Sequence, residues 1–487
     1  MTVAASDYKA IRDAIASFPT DVSTDAIGAQ APTLDELYAP ETHAAALDPT
    51  APIVMGARGT GKSFWAGVLG DDTLRATAAA AYPKHGLSKL DVQFGYTGIE
   101  GPAGIGRDKL DQCIGENATG DDARAFFWAT ILRAIDLANE RKPPSLPLLL
   151  PRARDVDQRE ATIAGMDEAL KKNDKTLLVV YDALDTMAMS WPRRRLLTQA
   201  LLEVVWAMRA YRRVRVKLFL RPDQIEDDAL HFVELPKLRT GAVRLAWTGT
   251  DLYGLLFARL ALGGAPEPFQ HLLSSLRFEH PTREQVLKRQ WTLTHDSRHQ
   301  QELMTALSGP YMADGAFGYK KGKTYDWPLK HLADAFNEVT PRSFLGLMIG
   351  AAQHGPLPAN KVLTPKGMQH GLRVASKTRV DQLHQEFPWI KGALRALSGL
   401  LLPADEAQVV AVWQRAGTLA AIMDDARAKE YLPPFHVAAG RTPDERGLYI
   451  AMERIGVMFR RKDDRIDMPD LFRVAANLLK KGGTAPI

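Results

Sequence analysis

One stretch constrains this chain more than any other: Pro52-Ile53-Val54-Met55-Gly56-Ala57-Arg58-Gly59-Thr60-Gly61-Lys62-Ser63-Phe64-Trp65. It reads G-x-x-x-x-G-K-S directly after a short apolar strand and directly before a helical run. Glycines let a backbone curl its N–H groups inward, and the N-terminus of the following helix adds a partial positive charge, so such a loop cradles phosphates. Gly56, Arg58, Gly59, Thr60, Gly61, Lys62, Ser63 and Phe64 are therefore candidate nucleotide-binding residues. Lys62 is placed to reach the β- and γ-phosphates and the Ser63 hydroxyl to ligate Mg2+, so ATP and Mg2+ are the expected ligands.

A loop of this kind needs a carboxylate at the end of a neighbouring strand to hold the magnesium through water. Leu177-Leu178-Val179-Val180-Tyr181 is a buried-strand pattern, and Asp182 follows at its carboxyl end. Ser63 and Asp182 are thus the candidate metal residues. Around them, strand-like runs (Ile53–Met55, Asp91–Phe94, Leu177–Tyr181, Val214–Leu220) alternate with helical ones (from Lys62, Ala123–Glu140, Arg193–Arg213). That alternation predicts an α/β fold, a parallel sheet covered by helices. After Asp228 the strand signals thin out and helices dominate, among them Gln408–Lys429.

The expected organisation is a leader over 1–50, a P-loop core over 51–228, a helical lid over 229–355 and a helical and winged-helix-like module over 356–487. Asp7 to Phe18 has helical spacing, and Pro19, Pro32, Pro40 and Pro49 break the rest of the leader into short pieces. Residues 141–160 read as a surface connection and Gly95–Gly120 as a long loop inserted in the core.

The chain has 487 residues, 46% apolar and 24% charged, which excludes a collagen, a coiled-coil rod or a wholly disordered chain. Its single cysteine, Cys113, removes any intrachain disulfide framework and suits a reducing, cytoplasmic setting. No basic n-region with an apolar stretch opens the chain, and no run of about 18 uncharged apolar residues occurs, so neither secretion nor membrane spanning is expected. The net charge of +5 is uneven: residues 1–50 hold two basic and eight acidic residues, net −6, leaving +11 on the rest. A basic body invites a polyanion.

These residues resemble the additional-strand P-loop ATPases, and within them the AAA+, STAND and KAP-like group, whose second motif often reads as an apolar strand followed by D-x-L-D. Asp182-Ala183-Leu184-Asp185 matches that form. Most AAA+ members place Glu immediately after the first Asp, and here Ala183 occupies that place. The resemblance implies that Asp185 polarises the attacking water. It implies a first sensor at Arg221, where Val214–Leu220 ends in Arg221-Pro222-Asp223, and a second at Arg342, in Thr340-Pro341-Arg342-Ser343 at the opening of a helix. Lys62, Asp182, Asp185, Arg221 and Arg342 make the expected catalytic set. Families of this kind occur in bacterial anti-phage systems and among DNA-replication initiators.

Arg193, Arg194, Arg195, Arg209, Arg212, Arg213 and Arg215 lie in 23 residues with one acid, Glu203. Helical spacing assigns them to a solvated face, with a nucleic-acid or inter-subunit contact as the sharper alternative. Near the C-terminus, a helix Pro443–Ile455, two short strands around Asp463-Asp464, and a helix Asp470–Lys481 resemble part of a winged helix. Arg460, Arg461, Lys462 and Arg465 at its wing tip, with Lys480 and Lys481, are candidate contacts to double-stranded DNA.

No H-E-x-x-H or G-x-S-x-G signature competes. The expected function is an Mg-dependent ATPase acting as a nucleotide-driven switch that signals to DNA or a partner protein, an effector or subunit, with a homo-oligomer as a further expectation. The alternatives are an ATP-bound, poorly hydrolysing scaffold and a DNA-binding initiator-like protein.

Overall fold

The fold was analysed in a computed structural model, which describes residues 3–19, 31–101, 104–115, 117–188, 190–225, 230, 232–356, 358–431, 433–434 and 443–486. The chain forms two compact units, one from 21–246 and one from 1–20 together with 247–487.

In the first unit, five strands form one parallel sheet: β1 (Ile53–Met55), β2 (Leu90–Phe94), β3 (Thr176–Tyr181), β4 (Val214–Leu220) and β5 (Val243–Arg244), in the order β2-β3-β4-β1-β5. All neighbouring pairs run parallel, with Val180 beside Lys217 and Leu218 beside both Tyr181 and Ile53. The apolar runs that mark β1, β3 and β4 are buried, as a sheet covered by helices requires. β4 lies between the strand that feeds the glycine-rich loop and the strand that ends at Asp182, so both sites sit at the carboxyl edge of the sheet.

The helix Gly120–Ala138 is buried nearly all round and packs on Leu146–Arg154 and Trp191–Ala207. It starts where Thr119 and Asp122 cap each other. Two stretches expected as loop contain helix. Residues 141–160 hold Leu146–Arg154, with a proline in its first turn, and the start of Val156–Lys172, capped by Asp155. The segment 95–120 holds Arg107–Cys113, steadied where Lys109 donates to the carbonyls of Gly101 and Gly104. Leu146, Leu149, Leu150 and Leu110 are buried, so packing organised segments whose prolines and glycines read as loop.

The leader belongs to this unit from residue 31 onward. Trp65, in the helix after the glycine-rich loop, donates through Nε1 to His43 Nδ1 at 2.9 Å, and His43 Nε2 lies 3.2 Å from the carbonyl of Ala246. An indole N–H only donates, so His43 is the neutral tautomer with its proton on Nε2.

The second unit is mostly helical. The helix Ala5–Ala16 packs on Pro266–Ser275 and Pro341–Gln353, where Arg12 donates to the carbonyls of Ala352, His354 and Gly355 at 2.6–3.0 Å and so satisfies a helix end. Pro341–Gln353 crosses Pro365–Glu386 at glycines: a Cβ on Gly371 would stand 2.1 Å from the Leu347 carbonyl. The expected single helix Gln408–Lys429 is two, Glu406–Arg415 and Thr418–Ala428, because Gly417 between them adopts φ 61°.

Near the C-terminus the helix expected over Asp470–Lys481 ends at Arg473. The fully buried Arg473 guanidinium donates to the carbonyls of Leu478 and Thr484, pulling the chain into a turn through Asn477 at φ 58°. The chain then enters a strand, Leu479–Lys480, which runs beside Leu401–Leu402. The strands Phe459–Arg460 and Ile466–Asp467 form the expected antiparallel hairpin. No helix among the described residues is long and apolar enough to cross a membrane.

Candidate nucleotide-binding site

The loop after β1 turns as its glycines dictate. Gly59 and Gly61 adopt φ of 85° and 103°, a region costly for any side chain, and Gly61 is the N-cap of the helix Lys62–Gly70. Gly56 is needed for space: a Cβ there would lie 2.3 Å from Thr60 Oγ1, which itself donates to the Ala57 carbonyl at 2.9 Å. Lys62 Nζ folds back to donate to the carbonyls of Gly56 at 2.7 Å and Ala57 at 3.0 Å. Phe64 packs on Trp65, edge to face with ring centroids 5.4 Å apart.

Asp182 lies at the end of β3, and its backbone N–H donates to the Tyr96 carbonyl at 3.0 Å. Its carboxylate is buried next to the Ser63 hydroxyl, and Oδ2 is buried with no hydrogen-bond partner in the protein. Burial pushes its carboxyl above the usual carboxylate range, against the pull of the Ser63 and Ala183 hydrogen bonds and the Lys62 charge. A buried anionic oxygen without a partner is costly. A carboxylate oxygen beside a serine hydroxyl offers the oxygen ligands a divalent cation takes, and the Lys62 ammonium next to them is a phosphate group's partner.

Ala183 then adopts φ 53°, ψ 36°, a left-handed conformation that costs an L-residue about 1–2 kcal/mol. The strained turn swings the next residues back, and Asp185 comes to face the glycine-rich loop. Arg221 Nη1 reaches Asp185 Oδ2 at 2.9 Å and Arg58 Nη2 reaches the same oxygen at 3.4 Å. Burial raises the Asp185 carboxyl, but Arg221, Arg58 and Lys62 outweigh it and hold the group below its usual range. Arg221, almost wholly buried, is itself gripped by Asp223 through Nε and Nη2 at 2.9 and 2.8 Å. Lys62, Ser63, Asp182, Asp185, Arg58 and Arg221 therefore share one site. Arg342 stands in the other unit, in the first turn of Pro341–Gln353, where Thr340 caps the helix.

One residue joins the site that its sequence pattern assigned to a solvated face. Arg194 is half-buried and donates to the Ala188 carbonyl at 2.9 Å; burial, then the charge of Arg221, lowers its affinity for a proton, while Asp185 and Asp223 oppose that. Its neighbour Arg193 donates to Asp111 at 2.7 Å and to the Ile114 carbonyl. Three arginines in the first turn of a helix oppose the helix dipole, and that was the signal in the sequence that solvation alone does not explain them. Tyr96 closes the same turn, its hydroxyl 2.9 Å from Thr186 Oγ1, which donates to the Ala183 carbonyl.

No protein-family model and no curated protein matches this sequence. Among solved structures, the chain is similar to the Walker-type ATPase PABY2304 of Pyrococcus abyssi, 11% identical over 93% of this chain and 97% of that one, with a TM-score of 0.38. It is also similar to the ORC2 protein of Aeropyrum pernix, solved as ADPNP and ADP complexes, 14% identical over 90% of this chain and 88% of that one, with a TM-score of 0.29.

Proposed function

We propose that the chain is an Mg-dependent ATP-binding P-loop ATPase of the additional-strand group. The observation that carries this is the unpartnered, buried Oδ2 of Asp182 beside the Ser63 hydroxyl, at the foot of a loop whose lysine is folded onto its own carbonyls. Ser63 and Asp182 would hold the cation, which when bound supplies positive charge to polarise the phosphates. The N–H groups of 59–63 and the Lys62 ammonium bind the phosphate chain. Asp185 orients and deprotonates water once its arginines are drawn to phosphate oxygens. Arg221 and Arg58 thus have two sets of anions to choose between, and that choice is the switch. β5 extends the core past the expected boundary at 228, so on this reading the helices of 229–355 that follow β5 act as the lid, with Arg342 as a second sensor, and 356–487 pass the state to a partner.

Phosphate release from ATP, measured for the wild type and Lys62→Ala, tests it: turnover lost in the variant supports the assignment, and equal turnover removes it. A second reading, an ATP-bound scaffold that hydrolyses slowly, is favoured by Ala183 in its left-handed turn and by the double arginine hold on Asp185. Intact ATP recovered after prolonged incubation would support the scaffold. The initiator-like alternative gains nothing from the wing, where Arg460 pairs with Glu406, Arg465 with Asp463, and Arg461 and Lys480 with Asp467.

A further inference from the structure

The segment 309–324, Gly-Pro-Tyr-Met-Ala-Asp-Gly-Ala-Phe-Gly-Tyr-Lys-Lys-Gly-Lys-Thr, has a surface that ordinary packing does not explain. It is a closed loop. Tyr311 and Lys323 pair as an antiparallel bridge, Met312 donates to the Gly322 carbonyl at 2.9 Å, and Thr324 donates to the Pro310 carbonyl at 3.1 Å. Gly318 is buried against the opposite side of the loop, where a Cβ would lie 2.2 Å from the Ala313 carbonyl. The flanking Phe317 and Tyr319 are therefore held outward, 69% and 56% exposed, with Tyr311 at 36%. Water makes that costly without a purpose, since aromatic rings carry the largest apolar area of any side chain.

Lysines dominate the charge around the rings. Lys320, Lys321 and Lys323 are exposed beside them, and the Lys320 ammonium sits 4.8 Å from the Phe317 ring centroid. Lys323 reaches Gln301 at 3.3 Å, and the one acid of the loop, Asp314, is 3.6 Å from Lys361. Rings spaced along a closed loop, beside lysines, match the two chemical needs of an unpaired nucleic-acid strand: faces for bases and cations for phosphates. An anionic membrane fits less well. The three large exposed apolar residues of the loop are all aromatic, with flat faces suited to bases and no aliphatic wedge for acyl chains.

We infer that the loop 309–324 is a binding platform for single-stranded nucleic acid, with Phe317, Tyr319 and Tyr311 stacking bases and Lys320, Lys321 and Lys323 on the phosphates. This is independent of the nucleotide reading. The test is fluorescence anisotropy of labelled single-stranded DNA and RNA 20-mers with the full chain at several salt concentrations, beside Phe317→Ala/Tyr319→Ala and Lys320→Gln/Lys321→Gln. Losing two stacking rings should weaken binding at least about 10-fold, and losing two phosphate contacts should flatten the log–log salt slope by about 1.4. Both variants should keep the circular-dichroism spectrum and the unfolding midpoint of the wild type, which shows that they fold. Ultraviolet crosslinking of the oligonucleotide to wild type, mapped by mass spectrometry, should mark the peptide carrying Phe317 and Tyr319 without any variant. Absence of oligonucleotide binding, binding indifferent to both variants, crosslinks elsewhere, or capture by phosphatidylserine vesicles in place of oligonucleotides would each overturn the proposal.

Discussion

At both ends of β1 a lysine is set among backbone carbonyls, and the two lysines differ in how far along the chain those carbonyls lie. Where β1 ends, half-buried Lys62 bonds Gly56 and Ala57, six and five residues back in its own loop. Where β1 begins, Lys217 of β4 is fully buried and donates to the carbonyls of Ala46, Asp48 and Ala51 at 2.7–2.8 Å, more than 160 residues away in sequence. Burial pulls the Lys217 ammonium down to about 7, opposed by Asp48, and three carbonyls fill all three of its N–H positions. Local contacts of the first kind can be exchanged for phosphate oxygens without unfolding. Contacts of the second kind hold the leader to the sheet, and exchanging them dismantles it.

The contrast can be broken from either side. The largest effect belongs to Lys62→Ala, which should cut ATP turnover by at least about 100-fold while the unfolding midpoint of the free protein moves little. Asp182→Asn comes next: it should abolish the contribution of Mg2+ to ATP affinity, yet leave the nucleotide-free protein as stable or more stable, because it removes a buried charge with an unpartnered oxygen. Calorimetry of free and loaded protein separates those outcomes, and a destabilised free variant would count against the site.

Lys217→Met should lower stability by about 2–3 kcal/mol, since three carbonyls lose their donor, while the protein that remains folded hydrolyses ATP as before; chemical denaturation and single-turnover assays read the two terms. Asp185→Asn should slow turnover by about 10-fold or more and alter the acid response. Its folded carboxyl is held low, so the stability from its arginine pairs is complete above about pH 4 and is lost as the pH falls through the lowered folded value. Wild type should therefore lose more stability than the variant in acid melts. The smallest effect belongs to Arg460→Gln, an exposed pair with Glu406 worth less than about 1 kcal/mol.

The site was legible where backbone geometry demands particular residues. Glycines at φ 85° and 103°, a lysine and serine opening a helix, and an apolar strand ending in Asp182 have few other uses. The α/β class came from the same alternation, and the sheet confirms it. What stayed hidden depended on long-range packing. Nothing local brings the charges of Arg194 and Arg221 within reach of each other, and nothing in Val-Arg-Val-Lys-Leu-Phe-Leu announces that the leader will cover Lys217. A helix end is not legible where one side chain sets the stop, as Arg473 does, and a helix is not legible where a segment rich in proline buries leucines, as at Leu146–Arg154.

The most direct test of the central claim is isothermal titration of ATP into wild type and Asp182→Asn, each with and without Mg2+. The site as described predicts that Mg2+ tightens ATP binding to the wild type and has no effect on the variant. An equal Mg2+ response in both proteins would contradict the assignment of Asp182 to the cation, and with it the reading of this edge of the sheet as an ATPase site.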